Sequence, residues 1–329
     1  MNQLRPLLLL GVLAVVLLGE CGGGSGPESQ ADEQNWTFET LDLNLDWEPG
    51  PENVGPVLAG ELGYFQDVKL GVTINTPIYP ERPTKYVDER LVDAAIAQAP
   101  QVMLAQEEGR AIVAVGSLMP EATLAMIWLP DSGINEIADL KGKTIAYPGV
   151  PFQKDFLRYV LEDAGLSLAE VKLADVGYEL ASPLASGRAD AIFGGSANEE
   201  GALLEARGLD PIVTKATDLG VPDYDELVLV ARRDRYAKEP ELFQRLLDAS
   251  IRGNEAATED APAATKAIVS QSYGEAPAKP TQAGVEATAP LLSETGEINR
   301  AKLKRLIDWM HEEGMIERKI PVSQLVASP

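Results

Sequence analysis

From Trp36 onward, short apolar or alternating runs take turns with stretches of helical periodicity. Leu41-Asp42-Leu43-Asn44-Leu45 alternates apolar and polar residues, the pattern of a half-buried strand. Further strands are predicted over 111–115, 123–129, 144–147, 171–176, 190–193, 211–214 and 226–231. Val87, Leu91, Val92, Ala95 and Ile96 recur at helical spacing, and helices are also predicted over 155–164, 241–251 and 302–310, where apolar positions repeat every three or four residues. Strand and helix in alternation imply an α/β fold of mostly parallel sheets covered on both faces.

Two turn-rich breaks, Pro130-Asp131-Ser132-Gly133 and Gly220-Val221-Pro222-Asp223, flank a self-contained series of strands and helices. The reading is an inserted lobe, with lobe one over 36–126 plus 227–329 and lobe two over 127–226, each of ordinary domain size. A ligand then belongs in the cleft between lobes, where strand carboxyl ends and helix N-termini converge. The stretch 255–289, rich in Ala, Pro, Thr and Glu, reads as helical hairpins covering lobe one, without chemistry of its own.

The N-terminus changes the compartment. Arg5 precedes an apolar run over 7–18, of signal-peptide length and too short for a comfortable membrane span, so 1–20 is read as a signal peptide. Leu18-Gly19-Glu20-Cys21 followed by Gly22-Gly23-Gly24-Ser25-Gly26 resembles a bacterial lipobox, which makes Cys21 the lipidation site and 21–35 a lipid-anchored flexible linker. Leu18 fits that pattern; Glu20 stands where a small residue is usual, and the alternative is an ordinary secretory signal with an incidental cysteine.

Charge and composition then remove whole classes of function. Lys and Arg number 28 against 51 Asp and Glu, a net charge of -23 that repels nucleic-acid backbones. One His and one Cys in 329 residues supply neither an internal disulfide, a Cys/His metal site nor a histidine-centred triad. No metal and no cofactor are expected.

Several segments carry a resemblance. Leu45-Asp46-Trp47-Glu48-Pro49-Gly50, followed by Gly63-Tyr64-Phe65, is similar to the opening of the thiamine-pyrimidine branch of ABC-transporter substrate-binding proteins. The similarity continues through Asp139-Leu140-Lys141-Gly142-Lys143-Thr144, Asn198-Glu199-Glu200-Gly201 and Gly220-Val221-Pro222-Asp223-Tyr224-Asp225-Glu226-Leu227. It implies a two-lobed periplasmic-binding-protein fold of type II, a monomer tied to the outer face of the cell membrane. Such a protein hands a small molecule to an ABC permease with its ATPase.

The candidate ligand-binding residues are Asp46, Trp47, Asn53, Phe152, Gln153, Asn198, Glu200 and Tyr224. Asp46 and Trp47 follow the first strand: a carboxylate accepts hydrogen bonds from ring amines, and an indole stacks on a flat heterocycle, unless Trp47 is simply core. Asn53 lies on the first helical turn. Tyr147-Pro148-Gly149-Val150-Pro151-Phe152-Gln153 joins a strand to a helix starting near Pro151, whose free N–H groups favour polar ligand atoms. Phe152 either faces the cleft or covers the hinge, and Gln153 is the better polar contact. Asn198 and Glu200 occupy positions where the resembled family has Asn and Glu; Glu199 competes with Glu200 for the cleft. Ser196-Ala197 stands where that family carries aromatic residues, which predicts a widened wall. Tyr224, Asp225 and Glu226 are either hinge or contact.

The resulting expectation is capture, without catalysis, of a small aromatic N-heterocycle, a thiamine pyrimidine precursor such as a hydroxymethyl- or formylaminomethyl-pyrimidine. The alternative is riboflavin or another fused ring. Sulfonates suit a carboxylate-rich wall poorly. A pyrimidine-synthase activity would need the histidine and cysteine-rich motif of the family's eukaryotic enzymes, where this chain has Asn53 and a single Cys21. A surface sensor or adhesin fits the tether but leaves the cleft residues unexplained.

Overall fold

A computed structural model describes residues 37–79, 82–177 and 179–327. The expected signal peptide, Cys21 and its linker lie outside the described residues. Among the described residues no helix is long and apolar enough to cross a membrane.

Among the described residues, ten strands form two five-stranded sheets. The first, in order β2-β1-β3-β10-β4, comprises β1 (Glu39–Asn44), β2 (Leu70–Asn75), β3 (Ala94–Ala97), β4 (Ile112–Met119) and β10 (Leu227–Arg232). The second, in order β7-β6-β8-β5-β9, comprises β5 (Leu124–Trp128), β6 (Thr144–Tyr147), β7 (Lys172–Asp175), β8 (Ala191–Ser196) and β9 (Ile212–Lys215). The chain enters the second sheet after Met119 and returns to the first at Leu227. Strand β5 lies wholly in the second sheet, so the expected lobe boundary at 126/127 falls inside a strand.

The two-lobed α/β fold is present, but the sheets are mixed rather than mostly parallel. β1 pairs in parallel with β2 and β3, and β6 with β7 and β8, whereas β10 runs antiparallel to β3 and β4, and β5 antiparallel to β8 and β9. The antiparallel strands are those that directly follow the two crossings, where the chain arrives from the other lobe instead of from a covering helix.

The first lobe carries α1 (Val54–Glu61), α2 (Tyr64–Asp67), α3 (Pro83–Asp88) and α4 (Ala99–Glu107); the second carries α5 (Pro151–Asp163), α6 (Ala181–Ala185) and α7 (Glu200–Ala206). After β10 come α8 (Arg233–Tyr236), α9 (Pro240–Glu259), α10 (Ala261–Gln271), α11 (Ala278–Thr288), α12 (Arg300–Glu312) and α13 (Val322–Leu325). Proline at the first turn starts α5 and α9 where a missing N–H costs nothing. Asn299 caps α12 by accepting from the N–H groups of Ala301 and Lys302.

Helical spacing misread the segment after Val87. Arg90, in the left-handed region at φ 61°, ends the α3 turn, and Ala94-Ala95-Ile96-Ala97 is the central strand of the first sheet, wholly buried. A strand covered on both faces is a continuous apolar run, which periodicity cannot separate from a buried helix. Strand β2 has no counterpart among the predicted strands.

Helix α1, which follows the turn bearing Glu52 and Asn53, is seated on α9 by two glycines. A Cβ on Gly253 would come within 1.9 Å of the Gly55 carbonyl oxygen, so only a hydrogen permits the backbones to approach this closely.

Candidate functional site

The cleft between the two sheets encloses a cavity of about 40 Å³ lined by Asp46, Trp47, Glu48, Glu52, Asn53 and Gln98 from the first lobe side, Thr123 and Glu226 at the crossings, and Gln153, Leu180, Gly194 to Ser196, Glu199 and Glu200 from the second. Six of these side chains are carboxylates. No Lys or Arg among the described residues lines it.

The carboxylates are held by geometry that the chain builds locally. Asn53 accepts from the Gly50 N–H at 3.0 Å and donates to Asp46 Oδ1 at 3.2 Å and to the Glu48 carbonyl at 3.0 Å, folding the Pro49–Pro51 loop around itself. Its amide is therefore engaged in shaping the loop that presents Asp46. Ser196 accepts from the Glu199 N–H through Oγ at 3.2 Å, while its own N–H donates to Glu200 Oε2 at 2.6 Å. This reciprocal arrangement opens α7 and turns both acids into the cleft. At the crossings, Thr123 donates from Oγ1 to Glu52 at 2.9 Å and from its N–H to Glu226 at 2.8 Å, and Gln98 Nε2 donates to Glu226 as well.

So many acids in one water-poor space hold on to protons. Burial pushes Asp46 up to about 6 and, with the charges of Glu226, Asp46 and Glu200 added, Glu52 up to about 8. Burial and neighbouring acids raise Glu199 well above the usual carboxylate range. Burial raises Glu200 and Glu226 too, opposed by the Ser196 and Thr123 N–H groups. Gln153 Oε1 is buried without a hydrogen-bond partner. It sits so close to Gly194, at φ 109°, that a Cβ there would lie 2.5 Å from this oxygen, so the glycine is required for the approach.

Of the candidate residues, Asp46, Trp47, Asn53, Gln153 and Glu200 come together on this cavity, and both Glu199 and Glu200 face it. The other three do not line it. Phe152 is in the core, its ring edge-on to Phe156 at 5.1 Å between centroids, and Phe156 in turn meets Tyr224 and Trp309. Tyr224 is fully buried behind Glu226. Asn198 donates to Thr288 Oγ1 at the end of α11, at 2.6 Å. At Ser196-Ala197, where a widened wall is expected, Ser196 bonds both Glu199 and Glu200, and Ala197 and Trp47 are half-buried against the cluster that contains Leu180. Glu52, Gln98 and Thr123 were missed. Their convergence depends on contacts between positions 71 and 128 apart in sequence, which no local spacing reveals.

Residues 51–264 match the family model described as NMT1/THI5 like. A formylaminopyrimidine-binding protein of Halalkalibacterium halodurans is 32% identical over 74% of this chain and 72% of its own length. A putative thiamine biosynthesis protein of Haemophilus influenzae is 28% identical over 87% of this chain and 91% of its own. A 4-amino-5-hydroxymethyl-2-methylpyrimidine phosphate synthase of Candida albicans is 26% identical over 64% of this chain and 65% of its own. Among solved structures, the periplasmic aliphatic sulphonate binding protein of Escherichia coli superimposes with a TM-score of 0.68 at 17% identity, over 89% of this chain and 93% of that one, a likeness of fold.

Proposed function

The chain belongs to the NMT1/THI5-like family, and from that premise we propose that it is the extracytoplasmic solute-binding protein of an ABC importer, capturing an aminopyrimidine precursor of thiamine. The observation that carries the ligand class is the carboxyl-rich lining, in which six acids that share protons both donate and accept, with the unpartnered Gln153 Oε1 beside them and no lining cation among the described residues. An aminopyrimidine offers amine N–H donors and a ring nitrogen that shares a proton with a carboxylate, so its hydrogen-bonding edge complements such a wall. A sulfonate or a phosphorylated ring would meet repulsion there, whatever the similarity of fold to sulphonate binders. Trp47 supplies the stacking face.

Asp46, Gln153 and Glu200 are assigned to ligand contact, Glu52 and Glu226 to sharing protons at the crossings, and Asn53 to holding Asp46 in place. A cavity known to take up a benzene-sized ring measures roughly 150 Å³, against about 40 Å³ here. Loading therefore requires the lobes to part at 120–123 and 220–226 and to close again over the ring. Nothing in this mechanism breaks a bond, and the single histidine, His311, lies in α12 and lines neither this cavity nor the space beside it. Lipidation at Cys21 would hold the monomeric binding protein beside its permease.

Isothermal titration of the full-length chain with 4-amino-5-hydroxymethyl-2-methylpyrimidine and with its formylaminomethyl counterpart tests the reading. One-to-one binding that weakens about five-fold or more in Gln153→Leu, by loss of a buried hydrogen bond, is the expected result. Binding of a sulfonate in preference to either ring would overturn it.

A further inference from the structure

A second space lies against the first. It measures about 490 Å³ and shares Trp47, Glu48, Leu180, Glu199 and Glu200 with the carboxylate cavity; its far side is built by the end of α10 and by α11. Unlike the inner cavity, it has room for a second ring as it stands. It is lined by Glu48, Glu179 and Glu275, with burial first and then the charges of Glu179 and Glu275 hindering the ionisation of Glu48, against one lining cation, Arg207. Two aromatic residues flank it, Trp47 at the shared wall and Tyr273 at the rim, 95% exposed.

Resting on the assignment of the inner cavity to an aminopyrimidine, we infer that this groove is a subsite for a second, cationic group carried on the same ring by a short arm. The inner cavity takes the hydrogen-bonding edge, where Gln153 Oε1 is buried without a partner. Trp47, common to both spaces, stands where the arm must pass. A flat cation in the groove meets aromatic faces at Trp47 and Tyr273 and carboxylates at Glu179 and Glu275, the surroundings that favour a cationic ring over a neutral one. The ligand class is then a substituted aminopyrimidine of two parts rather than the bare precursor ring.

The discriminating pair of probes shares one head. 4-Amino-5-hydroxymethyl-2-methylpyrimidine ends in a hydroxyl, whereas thiamine carries a permanently cationic thiazolium on the same methylene. Calorimetry on the full-length chain should show thiamine bound about ten-fold more tightly, equivalent to one good charged contact. That advantage should shrink in high salt and be lost in Glu179→Gln/Glu275→Gln, while the bare pyrimidine binds the double variant as it binds the parent. Equal affinities, or an advantage untouched by the double variant, would overturn the groove subsite and leave the aminopyrimidine reading standing. Failure of both compounds to bind would overturn both.

Discussion

Asn198 on the loop before α7 donates to Thr288 at the end of α11, at 2.6 Å, with both side chains buried, so a single hydrogen bond ties the second sheet's helix to the helical cover of the first. Its donor and acceptor come from opposite sides of the cleft, so parting of the lobes is expected to break it. Gly284 lets α11 come this near, since a Cβ there would stand 2.7 Å from Pro51.

Asn198→Ala is therefore expected to weaken binding through dissociation. Losing one net hydrogen bond, about 1 kcal/mol, corresponds to roughly a five-fold faster off-rate. The on-rate should hold, because the open form is unaffected. Stopped-flow binding checks this, and Thr288→Val should reproduce it; a change confined to the on-rate would contradict a closed-state bond.

Acid should stabilise the empty protein. Glu52 keeps its proton up to about pH 8 in the folded chain, whereas its ordinary value is 4.5. Between those values the unfolded state releases a proton that the folded state retains. The contribution of the neutral carboxyl is thus complete below the ordinary value and disappears as pH rises through about 8. Asp46, raised from 3.8 to about 6, acts in the same direction at lower pH. Thermal unfolding midpoints should fall from pH 5 to pH 8, and Glu52→Gln should flatten that slope; a steeper slope in the variant would contradict the account.

Phe152 and Trp47 separate packing from recognition. Phe152→Ala removes a fully buried ring from the Phe156 cluster and should cost about 3–5 kcal/mol of stability, with ligand affinity retained in the protein that folds. Trp47→Ala removes a half-buried side chain from the wall between the two spaces and should weaken ligand binding by about 0.5–1.5 kcal/mol from stacking alone, with a smaller effect on stability. Denaturant titration beside calorimetry distinguishes them, and the reverse assignment of effects would show the two roles exchanged.

Most of the architecture is legible in the chain because its strands and longer helices carry their own period and punctuation, as α5 and α9 do with proline at the first turn. β3 escapes because Ala94–Ala97 is buried on both faces and has no polar side to mark its period. Asp46, Trp47, Gln153 and Glu200 are expected at the cleft from sequence, and line the cavity, because strand ends and helix starts point into a cleft in this class of fold. Phe152 and Gln153 are neighbours on the same helical turn, and nothing in the sequence says which of them turns outward. Asn53 and Asn198 have the chemistry of ligand contacts, yet the first spends its amide on its own loop and the second on α11. The helical hairpins read as mere cover supply Thr288 and the far wall of the larger groove, a contribution that only the packing of α11 against α7 reveals.

The most direct test of the central claim is a thermal-unfolding panel at neutral pH, in which all ligands are supplied at one common concentration and a ligand present at about a hundred times its dissociation constant adds roughly 2.7 kcal/mol. The account predicts stabilisation by aminopyrimidines, none by alkanesulfonates, and none by a phosphorylated pyrimidine. Stabilisation by a sulfonate or a phosphorylated ring, with the aminopyrimidines silent, would contradict it, because a cavity walled by Asp46, Glu48, Glu52, Glu199, Glu200 and Glu226 offers no cationic side chain among the described residues to neutralise an anion.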